Sequence, residues 1–110
     1  FAKKSEKAAT MEKQRLMWEQ FCQKYSGRLS AEETRAGREE ALQMLEKKDT
    51  LPPIRLKIAK YISDGYTLER NLPKALEYLE IARDADPESQ AAKKLEPWID
   101  NMRKHINQEK

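Results

Sequence analysis

Apolar residues recur at helical spacing along most of the chain, and turn residues divide them into five stretches. Within residues 54–95, apolar side chains fall three or four positions apart, which places them on one face of an α-helix. Two such patterns follow one another there, and a third follows the Asp86-Pro87 dipeptide. Together with two earlier helical patterns, they predict an all-α fold of about five antiparallel helices joined by short polar turns.

Residues that start helices stand ahead of three of these patterns. Ser30 and Glu33 have the spacing of a capping box, in which each side chain bonds to the other residue's backbone N–H. Asn71 can accept a hydrogen bond from a first-turn N–H, and Pro73 fits that turn because a donor there would have no partner. Asp86 is expected to cap the last helix in the same way.

Glycine and proline predict where the helices end or bend. Gly27 and Gly65 are expected to end the first and third helices, because glycine adopts the left-handed conformation at low cost. Pro97 is expected to kink or break the last helix near residues 95–96. Gly37 lies inside the second helix, where it is expected to permit a close helix crossing.

The first helix is the most aromatic part of the chain. Its pattern is regular from about Met11, with Trp18, Phe21 and Tyr25 on one side, whereas residues 1–10 are expected to fray or stay disordered. These aromatic side chains have two interpretations: they fill the core, or they form a docking face for a partner or a second copy. We favour the core, because a chain of this length has little apolar surface to spare.

Several residues of the central stretch form a recognisable pattern. A small residue and an aromatic residue stand in its first helix, a glycine and a polar cap follow, and a Lys-Ala pair precedes an aromatic residue and an alanine in its second helix. The positions are Ile58, Ala59, Tyr61, Gly65, Leu68, Asn71, Lys74, Ala75, Tyr78 and Ala82. This pattern resembles the Sel-one-like repeat, and the segment after it, with Asp86, Pro87 and Leu95, is similar to the start of a tetratricopeptide repeat.

The resemblance covers residues 54–95 and departs from the family at two positions. Ala59 and Thr67 stand where the family usually has glycine, so the turn after the first helix is expected to have another shape. The resemblance implies an all-helical adaptor that binds other proteins, with neither catalysis nor a cofactor.

Length and composition favour one domain. The chain has 110 residues, 38% hydrophobic and 37% charged, which suits a helix-rich fold with a small core. We expect that domain to span residues 11–108, with an N-terminal hairpin over 11–49 and a repeat-like hairpin plus a last helix over 54–108. No apolar run is long enough to span a membrane. The single cysteine slightly favours the cytoplasm, while an export signal or a membrane anchor upstream of Phe1 stays an open alternative.

The net charge of +3 is low for a protein that binds nucleic acid. The basic residues concentrate at the N-terminus, where residues 1–29 hold seven Lys or Arg against three Glu. The alternative to a protein-binding domain is therefore a small basic module that binds nucleic acid or an anionic surface through Lys3, Lys4, Lys7, Lys13 and Arg15.

Candidate chemistry is sparse. Cys22 lies on an aromatic helix face, far in sequence from His105, so we interpret it as a small hydrophobic residue rather than a nucleophile. One histidine and one cysteine do not make a zinc site, and no glycine-rich phosphate loop is present. The sequence predicts no enzyme, no metal and no cofactor.

The predicted function is that of a non-catalytic interaction domain that binds a peptide or a partner protein, and that is a monomer in isolation. Tyr66, which is expected to be exposed beside the helix turn, and Arg70 are the first candidate contacts. Trp18, Phe21 and Tyr25 are the second set, if the first helix is not needed to close the core. The same choice between closing the core and docking a partner applies to the last helix, which carries Trp98 and Met102.

Overall fold

The computed structural model describes the backbone of residues 2–27 and 29–108, with side chains from residue 10 onward in those ranges. Within them the chain forms five helices and no strand, which confirms the all-α prediction. No described helix is both long and apolar enough to cross a membrane. The helices are α1 (Ala2–Lys24), α2 (Ala31–Glu46), α3 (Pro52–Leu68), α4 (Leu72–Ala85) and α5 (Gln90–Gln108).

Helix α3 lies at the centre of the fold. It packs against α2 and α4, which are its neighbours in sequence, and α4 also packs against α5. Short connections reverse the chain between α2 and α5, as in side-by-side helical hairpins. Helix α1 approaches α3 more closely than it approaches α2, so the expected hairpin of the first two helices is less close than the α3–α4 pair.

The start of α2 is set by the predicted capping box. The Glu33 N–H donates to Ser30 Oγ, and the Ser30 N–H donates to Glu33 Oε1, each at 3.1 Å. At α4, the Lys74 N–H donates to the Asn71 side chain at 3.4 Å, which is a longer version of the expected cap. Both side chains therefore satisfy N–H groups that the first helical turn leaves without a partner.

The predicted start of the last helix is wrong by one short turn. Asp86 follows the end of α4, and α5 begins at Gln90. Ser89 takes the capping role, because its Oγ accepts a hydrogen bond from the Ala92 N–H at 3.1 Å. The same hydroxyl donates to the Asp86 carbonyl at 2.7 Å, so the Asp86-Pro87 dipeptide shapes the turn instead of capping the helix.

Neither expected interruption occurs inside α3 or α5. Gly65 has ordinary helical geometry, and α3 continues to Leu68 because Tyr66 still packs against the core on the same face. Arg70 then adopts the left-handed conformation, with φ 61°. Helix α5 runs through Pro97 without a break. The carbonyl that lacks a donor there belongs to Lys93, an exposed residue.

The centre of the core is aliphatic and lies between α3, α4 and α5. Leu79 is 2% exposed, and Ile58, Ile62 and Ile99 are also buried, as their helical spacing predicts. The only polar residue in this group of buried side chains is Ser63, whose hydroxyl donates to the Ala75 carbonyl at 2.7 Å. That hydrogen bond joins α3 to α4 and satisfies the hydroxyl within the core.

Helix α1 closes the other side of α3 with aromatic rings. Trp18 and Phe21 are stacked with centroids 5.0 Å apart, and the Tyr61 ring meets both edge-on. Gly37 makes room for this cluster, because a Cβ there would lie 2.6 Å from Tyr61 Oη and 3.1 Å from the Tyr25 ring. Aromatic side chains thus fill the space that Gly37 leaves, and the close helix crossing expected at this glycine stays a prediction.

A polar clamp also holds α1 in place. Gln14 donates from its amide to the Asp49 carbonyl and accepts from the Leu51 N–H, each at 2.8 Å. Phe1 lies outside the described residues, and the backbone of α1 begins at Ala2. The side chains of residues 1–9 lie outside the described part, and the predicted fraying or disorder of residues 1–10 stays a prediction.

Candidate partner-binding groove

A groove runs along α5 and is closed on its other side by Thr67 in the last turn of α3 and by Leu72 at the start of α4. Its volume is about 610 Å³, within the range of sites that hold small ligands or side chains. Its surface is mainly apolar, with hydroxyl, amide and imidazole groups on the walls. The lining residues are Thr67, Leu72, Pro97, Trp98, Asn101, Met102 and His105.

The sequence of α5 places Trp98 at the wall of this groove. Ala92, Leu95 and Ile99 form the buried stripe of the helix. Trp98 lies beside that stripe, so its ring stays 60% exposed. Beside the groove, Lys60 of α3 places its Nζ 6.0 Å from the centroid of the Trp98 ring.

A stripe of three charged residues and one leucine runs along the side of α3 that carries Lys60. Lys57, Lys60, Asp64 and Leu68 are spaced three or four positions apart and so share one side of the helix. Leu68 is 81% exposed, the highest value among the large hydrophobic residues of the described part. Leu68 lies beyond Gly65, the predicted end of this helix, so its place on a helix face was not predicted from the sequence.

Cys22 borders the same stripe from α1. The residue is exposed, which corrects the interpretation that it is a small core hydrophobe. Partial desolvation of the thiol raises the pKa of Cys22, while the positive charge of nearby Lys57 acts in the opposite direction. A raised pKa lowers the fraction of thiolate at neutral pH. Among the described residues, no group of three His, Cys, Asp or Glu is placed to hold a metal ion.

Tyr66, the first predicted contact residue, is partly buried rather than freely exposed. Its ring stacks on Tyr78 with centroids 5.8 Å apart, and the Arg38 guanidinium lies 4.5 Å from its centroid. Arg38 also forms an ion pair with Glu69, with Nη1 2.7 Å from Oε1. Tyr66 therefore joins α2, α3 and α4, whereas Arg70 is exposed at the end of α3.

The aromatic candidates on α1 face the core. Trp18 is 9% and Phe21 6% exposed, so neither ring presents a free surface. Tyr25 is half-buried, and its hydroxyl donates to Glu40. This hydrogen bond raises the pKa of Tyr25 and lowers the pKa of Glu40, which Lys24 lowers further. Any role of these residues in partner binding stays a prediction.

The residues proposed for an anionic partner are only partly described. The side chains of Lys3, Lys4 and Lys7 lie outside the described part of the chain. Arg15 forms ion pairs with Glu12 and Glu19 on its own helix, so its charge is largely balanced locally.

Comparison with known proteins gives no relative from which a function could be inferred, so the proposals below rest on the chain's own residues. The Sel-one-like assignment stays a prediction. No family model matches this chain, and neither a curated protein nor a solved structure is detectably similar to it.

Proposed function

We propose that this protein is an interaction domain that binds a short segment of another protein in the groove along α5. The observation that supports it is the exposed Trp98 ring at the wall of an apolar groove. Tryptophan is among the residue types that contribute most to interface energy, because it buries a large rigid surface at a small cost in entropy. The core stripe of α5 is complete without this ring.

The shape of the groove favours a segment over a large flat surface. Leu72 and Met102 in the lining are half-buried, so an inserted partner side chain can contact them beside the exposed Trp98 ring. Asn101 and His105 on the wall supply polar groups that can fix the orientation of a bound backbone. Methionine adapts to the shape of the inserted side chain because its thioether is flexible.

The test is selection of short random peptides on the purified protein, followed by titration calorimetry with a selected peptide. Replacing Trp98 with Ala should weaken binding at least tenfold, about 1.4 kcal/mol. Leu16→Ala is the matched control, since Leu16 is an exposed apolar residue on α1, away from the groove. The proposal is wrong if no peptide is enriched, or if the Trp98→Ala variant binds the selected peptides as tightly as the original protein does.

A further inference from the structure

Three lysines lie at the contact between Lys60 and Trp98 or within one helical turn of it. Lys60 lies on α3 opposite the ring, with its Nζ 6.0 Å from the ring centroid. Lys57 precedes it by one turn on the same stripe of α3. Lys94 precedes Trp98 by one turn on the same flank of α5, and both Lys57 and Lys94 are exposed.

The carboxylates of α5 lie on the other flank of that helix. Glu96 is 3.5 Å from Arg83 of α4, and Asp100 is 3.9 Å from Arg103. Arg103 also forms an ion pair with Glu80 of α4 at 2.8 Å. The acidic groups of α5 are therefore paired with arginines away from the groove, and the flank that faces the groove carries Lys94 with the neutral Asn101 and the imidazole of His105.

The carboxylates on the groove side do not balance the lysines. Asp64 pairs with Lys60 at 3.0 Å, and Glu19 on α1 pairs with Arg15. Within the described part of the chain, neither Lys57 nor Lys94 forms an ion pair. This end of the groove thus carries a surplus of positive charge next to an exposed aromatic ring.

We propose that the segment bound in the groove is acidic, with an apolar side chain against Trp98 and carboxylates beside Lys57, Lys60 and Lys94. This inference rests on the proposed function, because it names the chemistry of the segment that the groove binds. The apolar contact supplies affinity, and the lysines select the charge of the partner. The Leu72 and Met102 end of the groove then receives the apolar part of the segment.

The charge contribution has a characteristic salt dependence. Ion pairs between exposed groups are weak one by one and are screened by salt, whereas the Trp98 contact is not. Binding of an acidic segment should therefore weaken as salt rises and level off at the affinity of the apolar contact. We expect the main effect on the association rate, because a surplus of charge steers an oppositely charged partner.

The experiment uses two synthetic peptides with the same Leu-Phe-Leu centre, flanked by Glu in one and by Lys in the other. The Glu-flanked peptide should bind at least tenfold more tightly to the original protein. The double variant Lys57→Glu with Lys94→Glu should lose this preference or reverse it. The control is Lys48→Glu with Lys93→Glu, which changes the net charge equally at exposed sites, one in the α2–α3 connection and one on the far side of α5. The control should keep the preference.

The outcomes separate this inference from the proposed function. If both peptides bind equally and Trp98→Ala weakens both, the groove is a binding site but the acidic partner is wrong. If neither peptide binds while the selected peptides do, the acidic partner is also wrong. If nothing binds in either assay, the proposed function fails as well. A last comparison measures binding of the protein to phosphatidylserine vesicles and to single-stranded RNA. If both double variants lose this binding equally and the original protein shows no peptide preference, the lysines attract anionic partners in general, and the inference of an acidic peptide segment is wrong.

Discussion

The two tryptophans of the chain are used in opposite ways. Trp18 on α1 is 9% exposed and lies in a cluster with Phe21 and Tyr61, whereas Trp98 on α5 is 60% exposed and lies at a groove wall. Both stand on helices that pack beside α3 or α4, and both belong to apolar patterns in the sequence. The difference shows that the surroundings of a large apolar side chain decide whether it contributes to stability or stays available for binding.

The reason lies in what faces each ring. Opposite Trp18, α3 presents the flat ring of Tyr61, and the absence of a side chain at Gly37 lets the Tyr25 and Tyr61 rings approach α2. Opposite Trp98, α3 presents Lys60, whose long side chain leaves the indole uncovered. An aromatic neighbour thus completes a core, while a lysine leaves a solvated wall.

The largest expected effect is on Trp18. Replacing it with Ala should lower the free energy of unfolding by about 3–5 kcal/mol, because it removes a buried ring and leaves a cavity between α1 and α3. Urea denaturation followed by circular dichroism measures the change. A loss below about 1 kcal/mol would mean that α1 contributes little to the fold, and the contrast with Trp98 would disappear.

Leu79 is an aliphatic core residue outside both tryptophan regions, so its truncation provides a reference loss of unfolding free energy. Leu79→Ala should cost about 2–5 kcal/mol, since the side chain is 2% exposed between the packed helices. Comparing this value with the Trp18→Ala loss shows whether the aromatic cluster is as tightly packed as the aliphatic centre. The neighbouring exposed change Glu77→Ala is the control and should stay within about 0.5 kcal/mol.

Gly37 tests the close approach that buries the α1 cluster. Gly37→Ala adds a methyl group 2.6 Å from Tyr61 Oη, and overpacking of this kind costs about 1–3 kcal/mol. The gain of about 1 kcal/mol in helix propensity partly offsets that cost, so we expect a small net loss in unfolding free energy. Gly65→Ala is the matched control, because a Cβ at Gly65 meets no atom within 4 Å. Stabilisation of both variants alike would show that the approach at Gly37 is loose.

Ser30 tests how much a helix cap contributes to stability at a site away from both tryptophans. Ser30→Ala removes the capping box and should cost about 1 kcal/mol, while Ser30→Asp should keep most of the stability because Asp also caps well. Thermal melting of the three proteins at one pH measures both values. If the Ser30→Ala variant has the same melting temperature as the original protein, the cap of α2 does not contribute to stability.

The smallest effect on stability is expected at Trp98. Trp98→Ala should change the free energy of unfolding by no more than about 0.5 kcal/mol, because the ring is mostly solvated and the α5 core stripe remains. The same urea denaturation as for Trp18 checks it. A loss of several kcal/mol would mean that Trp98 is a core residue, and the argument for a docking surface would fail.

Local sequence signals predicted the fold well wherever one helix face was enough to decide the structure. The spacing of Leu79 and Ile99 predicted their burial, and Ser30 with Glu33 predicted the start of α2. Predictions from single turn residues were less successful. Gly65 does not end α3 and Asp86 does not cap α5, because packing of Tyr66 and capping by Ser89 determined those boundaries instead.

The candidate site was less predictable than the fold. The sequence indicated Tyr66 as an exposed contact, but its ring packs against both Arg38 and Tyr78, two residues that are distant along the chain. It indicated Trp98 only as part of an apolar stripe or a spare docking face. The sequence of one helix shows how wide its apolar stripe is, but it does not show which neighbouring helix covers each part of that stripe.

The sequence by itself determined the all-helical class, the capping box at α2, and the aliphatic face of each central helix, because these follow from contacts between residues close along the chain. Only the tertiary structure decided that Trp18 is covered and Trp98 is not. That outcome depends on whether Tyr61 or Lys60 of the same helix lies opposite the ring, and neighbouring positions on α3 face different helices because each residue turns the helix by about 100°.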